Sequence, residues 1–136
     1  MASYIEGAMR SILVDTPAVN TYSGSRVYWG RTPQKPTTPF IVFFAVSDLH
    51  QPLYMTLDGS GSETGQRMFQ FSCMAEDSIQ VQLMQQAVMD TLRWAQGTSY
   101  GFTIENVEIE NMRQRVDPTT DLFVCDVDAI VEYYEA

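Results

Sequence analysis

The feature that most constrains how this chain folds is a run of residues, 39–46, in which every position is apolar. Because successive side chains of a strand point to opposite faces, such a strand is apolar on both faces of its sheet. The C-terminal segment 122–134 instead alternates, with Phe123, Cys125 and Val127 on one face and mixed residues on the other. Only two segments show convincing helical periodicity, and two helices cover one side of a sheet. We therefore predict apolar positions that only another chain covers, which indicates an assembly protein more than an enzyme.

Periodicity and turn residues divide the chain into two helices and five strands. We predict helices over 4–14 and 79–96, and strands over 26–29, 40–47, 67–75, 103–110 and 122–134. The longest stretch without either pattern, 48–66, contains several glycines, and we expect a long, flexible loop there. The predicted fold is a single α+β domain over residues 1–136. It has a mostly antiparallel sheet of four or five strands with two helices packed on one face, in the order α-β-β-loop-β-α-β-β.

The predicted loop contains apolar side chains as well as glycines, which is typical of a segment that orders against a neighbouring chain. The strand face that we predict to lie away from the helices also carries apolar side chains. Together these positions give the predicted subunit or partner interface, which consists of Ile41, Phe43, Leu49, Tyr54, Met55, Leu57, Met68, Met74, Val124 and Ile130.

The chain is strongly acidic, with a formal net charge of −9. Tight binding to a phosphate backbone is excluded, because that affinity comes from Lys and Arg releasing counterions. Repulsion of nucleic acid, mimicry of it, or a basic partner all fit this charge. Asp126, Asp128 and Glu132 share one strand face, where paired carboxylates bind a metal or share a proton in some proteins. We favour a solvated face, or one that lines the lumen of an assembly.

Residues that would indicate catalysis are sparse. His50 is the one histidine, and no His/Cys cluster has metal-ligand spacing. The sequence Gly59-Ser60-Gly61 lacks the lysine and the helix that a phosphate loop requires. We expect Cys73 and Cys125 to be buried, reduced thiols. A disulfide between them is the alternative if their strands are neighbours. We predict no catalytic residue, no cofactor and no metal. No apolar stretch reaches the length that spans a bilayer, and the N-terminus does not read as a signal peptide.

Several segments together resemble one known family over nearly the full chain. They are Ile12-Leu13-Val14 at the end of the first helix, Arg26-Val27-Tyr28 before a proline-rich connector, Pro39-Phe40-Ile41-Val42-Phe43, Gln70-Phe71-Ser72-Cys73-Met74-Ala75-Glu76, the helix after Ser78, and Val131-Glu132-Tyr133. In these patterns of apolar spacing and turns the chain is similar to the tail terminators of long-tailed bacteriophages. This family is also called the tail completion or tail-to-head joining proteins.

The resemblance implies a structural virion protein that forms a ring, usually of six subunits. Such a ring caps the head-proximal end of the tail tube, ends tube polymerisation and joins the tail to the head. The implied partners are further copies of this chain, the tail tube protein and a head-completion or connector protein. Genomic DNA would pass through the lumen without specific binding, and no membrane is involved. The implied location is the neck of a virion assembled in the host cytoplasm.

Three other readings stay open at this point. The chain could be another component of the head–tail junction, such as a head-completion adaptor or the tail tube protein. From a different class, it could be an acidic inhibitor that mimics DNA. A small hydrolase is the third, although the sequence shows no nucleophile–base pair.

Overall fold

A computed structural model describes residues 5–34, 36–52, 63–95, 97–99 and 102–135 of the chain. Within these residues the fold is α+β, as predicted, with three helices and six strands. In chain order they are α1 (Ile5–Asp15), α2 (Pro17–Ser23), β1 (Val27–Trp29), β2 (Phe40–Pro52), β3 (Glu63–Ala75), α3 (Ser78–Arg93), β4 (Gly97–Ser99), β5 (Phe102–Val116) and β6 (Phe123–Glu135).

The strands form one sheet in the spatial order β1-β2-β3-β6-β5-β4. β1 runs parallel to β2, and every other neighbouring pair is antiparallel. The sheet is therefore mixed but mostly antiparallel, as predicted. It has more strands than the predicted four or five because β4, a three-residue strand, was not predicted. Bulges interrupt the alternation at Val46 in β2 and at Glu105 and Glu110 in β5.

The core lies between one face of the sheet and the helices. Three phenylalanine rings form its centre: Phe43 stacks on Phe71 with ring centroids 5.3 Å apart, and Phe69 contacts both. The helices add buried side chains to the same cluster, which include Met9, Leu13, Val19, Val81, Met84, Val88 and Leu92. All three helices therefore cover the same face, where two were predicted.

Helix boundaries follow from local chemistry. Asp77 caps α3, because its carboxylate accepts a hydrogen bond of 3.0 Å from the Ile79 amide. Pro17 stands at the first turn of α2, where a missing N–H group costs no hydrogen bond. Helix α2 was not predicted from the sequence. The predicted element order is wrong at α2 and β4.

The prediction of a loop over 48–66 is wrong at both of its ends. β2 continues to Pro52 and β3 begins at Glu63, and the two strands pair in register from Asp48↔Arg67 to Pro52↔Glu63. A ladder of backbone hydrogen bonds needs no apolar side chains, so polar and glycine-containing residues extend this hairpin. The rest of the predicted loop, 53–62, lies outside the described residues.

Two residues of the predicted interface belong to the core instead. Ile41 and Phe43 are completely buried within one copy of the chain, and they lie opposite Cys73 and Phe71 on the face that the helices cover. The prediction assigned them to the uncovered face, and it is wrong for both. The uncovered face of β2 carries Phe40, Val42 and Phe44.

Candidate subunit interface

The sheet ends on each side in a long strand that a short strand covers only in part. β1 pairs with Ile41–Phe43 of β2, and β4 pairs with Phe102–Ile104 of β5. Among the described residues, no strand pairs with the outer edge of 44–52 in β2 or with the outer edge of 105–116 in β5. We call β1 with 44–52 the β1 border, and β4 with 105–116 the β5 border. Open strand edges of this kind are templates for pairing with another chain.

Both borders also expose large apolar side chains. At the β1 border these are Trp29, Phe44 and Val46, and at the β5 border they are Met112 and Val116. Phe123 of β6 is exposed directly opposite Val116. Apolar side chains grouped along an open edge indicate a surface that another protein covers. Further large apolar side chains that are exposed lie on or just after α3, away from the sheet: Ile79, Leu83 and Trp94.

The sheet face opposite the helices has a polar network at its centre. The Ser72 hydroxyl donates a hydrogen bond of 2.7 Å to Asp126 Oδ1, and Arg115 Nε donates one of 3.0 Å to Asp126 Oδ2. A second arginine, Arg113, lies 3.4 Å from Asp128 Oδ2. The network therefore pairs each of these aspartates with an arginine of β5.

The three acids predicted for a lumen share this face. Glu132 accepts a hydrogen bond of 2.7 Å from Gln66 Nε2 on the neighbouring strand. Asp126, however, is only 1% exposed, so it offers almost no surface to solvent or to a passing molecule. Asp128 and Glu132 are half-buried. Whether this face lines a lumen stays a prediction.

The four remaining apolar residues of the predicted interface on this face form two separate pairs. Met68 lies opposite Ile130, and Met74 lies opposite Val124. Val124 is buried within the single chain. The polar row through Ser72 separates the pairs, so these apolar positions form two small patches. Of the others, Leu49 lies in β2 with only its backbone described, and Tyr54, Met55 and Leu57 lie outside the described residues.

One end of this face forms an open groove of about 540 Å³ between the 30–38 connector and the 117–122 turn. Phe40, Val42 and Met74 line its floor. Asp117 stands at its rim, where the Thr119 amide and the Thr120 hydroxyl both donate to its carboxylate. These hydrogen bonds lower the pKa of Asp117 below its usual value, so the carboxylate stays ionised at neutral pH.

Groups that could perform chemistry are not brought together in the part of the chain that the structure describes. His50 lies in β2 opposite Gly65. Cys73 and Cys125 are free, buried, and directly opposite one another on β3 and β6, as expected for buried reduced thiols on neighbouring strands. Burial raises the pKa of both thiols, so neither is ionised at neutral pH.

The described residues contain no group of three or more potential metal ligands. None of the helices they form combines the length and the hydropathy that crossing a bilayer requires.

Sequence reasoning missed the residues at the borders. Met112 lies beyond the predicted end of its strand because the bulges at Glu105 and Glu110 break the alternation that defined it. Trp29 ends a three-residue strand, too short for alternation to show which face it occupies. A tryptophan next to Gly30 at the end of a strand was the available signal, because large aromatic residues are enriched at interfaces.

Comparison with known proteins identifies the family. A family model described as tail completion protein gp17 matches residues 7–132. The chain belongs to the tail completion protein gp17 family. The resemblance to tail completion proteins predicted from the sequence is thereby confirmed. The family is a structural one of the phage virion, not an enzyme family.

A solved structure shows the same fold. One chain of the structure titled "Virion of native gene transfer agent (GTA) particle" superposes with a TM-score of 0.68 and is 12% identical in sequence. The alignment covers 98% of this chain and 99% of that one, so the whole fold is shared. A search of curated proteins finds no match.

Proposed function

We propose that this tail completion protein forms a closed ring of identical subunits, six in number, at the head-proximal end of the phage tail tube. The ring ends tube polymerisation and joins the tail to the head. Membership of the tail completion family over residues 7–132 carries this proposal. The fold supports it, because both borders of the sheet end in open strand and exposed apolar side chains.

In a closed ring, both borders of every subunit are covered by neighbouring copies. In a cyclic assembly each copy presents one border to the copy before it and the other border to the copy after it. An open chain of copies would leave two borders uncovered at its ends. Specific interfaces ordinarily bury about 800 Å² per partner, and contacts of that size range from micromolar to picomolar affinity. Ring formation is therefore expected to depend on protein concentration.

The size and charge of the chain suit a ring around DNA. A compact chain of this length has a radius of gyration of about 14 Å, and six such bodies in a circle leave a hole roughly as wide as one of them. Six copies bring a formal charge of 6 × −9 = −54. Acidic groups near the hole repel phosphates within a Debye length of roughly 8–10 Å. DNA would then pass without specific binding, and a basic lumen would contradict this part of the proposal.

The positions of the helices favour one orientation of the sheet in the proposed ring. All three helices cover one face, and the wider outer circumference of a ring accommodates them. The polar face with Asp126, Asp128 and Glu132 would then line the hole. Because Arg115 and Arg113 pair with the two aspartates, repulsion of DNA would depend on Glu132 and on acidic groups elsewhere in the ring. The two axial ends of the ring would contact the tail tube protein on one side and a head-completion or connector protein on the other. The proposed location is the neck of a virion assembled in the host cytoplasm.

The experiment is native mass spectrometry with negative-stain microscopy at a low and a high protein concentration, alone and with isolated tail tubes. We expect closed rings whose population rises with concentration, and binding of the protein at one end of the tubes. Long tubes formed by the protein alone would identify a tube protein instead. A chain that stays monomeric in every condition and leaves the tube ends bare would contradict the proposed function.

A further inference from the structure

The short strands make the two borders complementary in shape. β1 covers the beginning of β2, and β4 covers the beginning of β5. Because β5 runs opposite to β2, these covered parts lie at opposite ends of the sheet. When two copies stand side by side, β1 of one copy faces the part of β5 that β4 leaves open in the other copy.

In a ring whose axis runs along the strands, the relative direction of the neighbouring strands follows from the sheet itself. Counting across the sheet, β1 and β5 run in opposite directions. Rotation about an axis along the strands does not reverse a strand, so β1 of one copy meets β5 of the next as an antiparallel neighbour. Residue numbers therefore increase in opposite directions along β1 of one copy and β5 of the next.

One cross-strand row ends in an exposed apolar side chain at both borders. The row runs from Trp29 through Phe43, Phe71 and Val127 to Met112, each residue directly opposite the next. Trp29 is 49% exposed and Met112 is 51% exposed. Directly opposite residues share a face, so both side chains lie on the face that carries the helices. Copies standing at the same height bring these two side chains together.

The two borders are also opposite in charge. Next to β1 lie three arginines, and Arg10 and Arg26 point their guanidinium groups at backbone carbonyl oxygens there. The third, Arg31, is exposed two residues beyond Trp29. The β5 border exposes three glutamates, Glu105, Glu108 and Glu110; its two exposed arginines, Arg113 and Arg115, pair with Asp128 and Asp126 of the same chain.

This charge distribution selects between two kinds of contact. A two-fold contact would place each border against itself and oppose like charges, which is unfavourable. A head-to-tail contact places the arginines against the glutamates. Arg31 follows Trp29 by two residues and Glu110 precedes Met112 by two residues, so both charges lie near the Trp29–Met112 contact in sequence.

We propose that, in the ring of the proposed function, β1 of each subunit packs beside β5 of the next, with Trp29 against Met112 and Arg31 beside Glu110. The inference rests on that proposed function and specifies its contact. The contact is made by side chains and not by backbone hydrogen bonds between the strands. On the outer edge of β1 the Val27 carbonyl oxygen already accepts a hydrogen bond of 2.7 Å from Arg10 Nε. The partner is a second copy of this chain.

The first test is disulfide crosslinking of assembled rings formed by a chain with both Trp29→Cys and Met112→Cys. Within one chain these positions lie four strand spacings apart, about 19 Å, which is too far for an intramolecular bond. Mild oxidation is expected to give a ladder of covalent oligomers ending at the closed ring. The wild-type chain is the background control, because Cys73 and Cys125 are buried.

A matched pair tests a different register. If copies shift along the axis so that β5 lies directly against the open part of β2, Met112 approaches Val46 instead of Trp29. Rings that crosslink through Val46→Cys with Met112→Cys, and not through Trp29→Cys with Met112→Cys, would overturn the inference while leaving the ring intact. Wild-type protein that never forms rings, alone or on tubes, contradicts the proposed function itself.

The second test exchanges charges. Arg31→Glu and Glu110→Arg are each expected to weaken ring formation by at least tenfold in the concentration required, and the double variant to recover most of the loss. Raising the salt concentration should weaken the wild-type ring for the same reason. Single variants that assemble like the wild type would contradict the Arg31–Glu110 contact.

Discussion

Successive residues of the central strands point to opposite faces of the sheet, and the two faces differ in chemistry. On the helix-covered face, Phe71 of β3 packs against Phe43 and Phe69 and is completely buried. One residue later, on the opposite face, Ser72 donates to Asp126, which Arg115 also holds. The first face stabilises the fold by removing apolar surface from water, and the second places polar groups in one arrangement.

This difference shows what each face determines. Apolar side chains of similar volume tolerate exchange, so a phenylalanine cluster alone does not fix which residue of β6 lies opposite Phe71. A shift of β6 by two residues would keep its apolar side chains in the core but would separate Asp126 from Ser72 and Arg115, and a buried carboxylate without partners is costly. The polar network therefore fixes the register, and with it the row that ends at Trp29 and Met112.

The largest effect is expected from the core. Phe71→Ala removes a fully buried ring and leaves a cavity among Phe43 and Phe69, so the free energy of unfolding should fall by about 3–5 kcal/mol. Phe44→Ala on the opposite face, where the side chain is exposed, should cost less than about 1 kcal/mol. Urea denaturation of both variants measures the contrast, and equal losses would contradict it.

A smaller loss is expected from the polar network. Arg115→Met leaves the buried Asp126 carboxylate with Ser72 but without its guanidinium partner, which should cost about 1–2 kcal/mol of unfolding free energy, because Arg115 itself is half exposed. Arg113→Met is the matched control. Its partner Asp128 is less buried and lies farther away, so the loss should stay under about 1 kcal/mol. The reverse order in denaturation curves would show that the network does not centre on Asp126.

The borders should affect assembly and not folding. Met112→Asp is expected to prevent ring formation while changing the free energy of unfolding by less than about 0.5 kcal/mol. Leu83→Asp changes a residue of equal exposure on α3, away from both borders, and should leave the rings intact. Ring populations in negative-stain images, read beside urea denaturation, separate the two effects. Loss of rings in the Leu83 variant would place the interface elsewhere.

The smallest effect concerns the 117–122 turn. The pKa of Asp117 is lowered in the folded chain, so its ionised form stabilises the fold above the pKa of the unfolded chain. That contribution disappears as the pH falls through the lowered pKa of the folded state. Asp117→Asn should therefore be slightly less stable than the wild type at neutral pH and equal to it in acid. A stability difference that does not change with pH would contradict this assignment.

How much of the fold the sequence predicts depends on how clearly its residues alternate. β6 alternates between Val127 and Asp128, and its core face was predicted correctly. β2 is apolar at every position from Phe40 to Val46, so alternation could not tell that Ile41 and Phe43 face the helices. The polar ends of the β2–β3 hairpin were predicted as loop because their pairing depends on backbone hydrogen bonds, which leave no apolar pattern.

The candidate interface was less predictable than the fold. The sequence indicated apolar surface in excess of what its helices cover, and the structure has such surface. Part of it lies at the borders of the sheet and part on or just after α3, and it does not extend across a whole face of the sheet. The positions of Trp29 and Met112 depend on two bulges and on which short strand covers which part of its neighbour. Those are consequences of pairing between distant segments, which local periodicity does not contain.

Cys73 and Cys125 give the molecule an internal reporter. They face each other across β3 and β6, the two strands at the centre of the sheet, and neither sulfur is reachable from solvent. A thiol-specific dye can react only after these strands separate or the helices lift away. The labelling rate of the natural chain thus measures how often the centre of the sheet opens locally. Comparing free subunits with assembled particles would show whether incorporation into the particle slows this local opening.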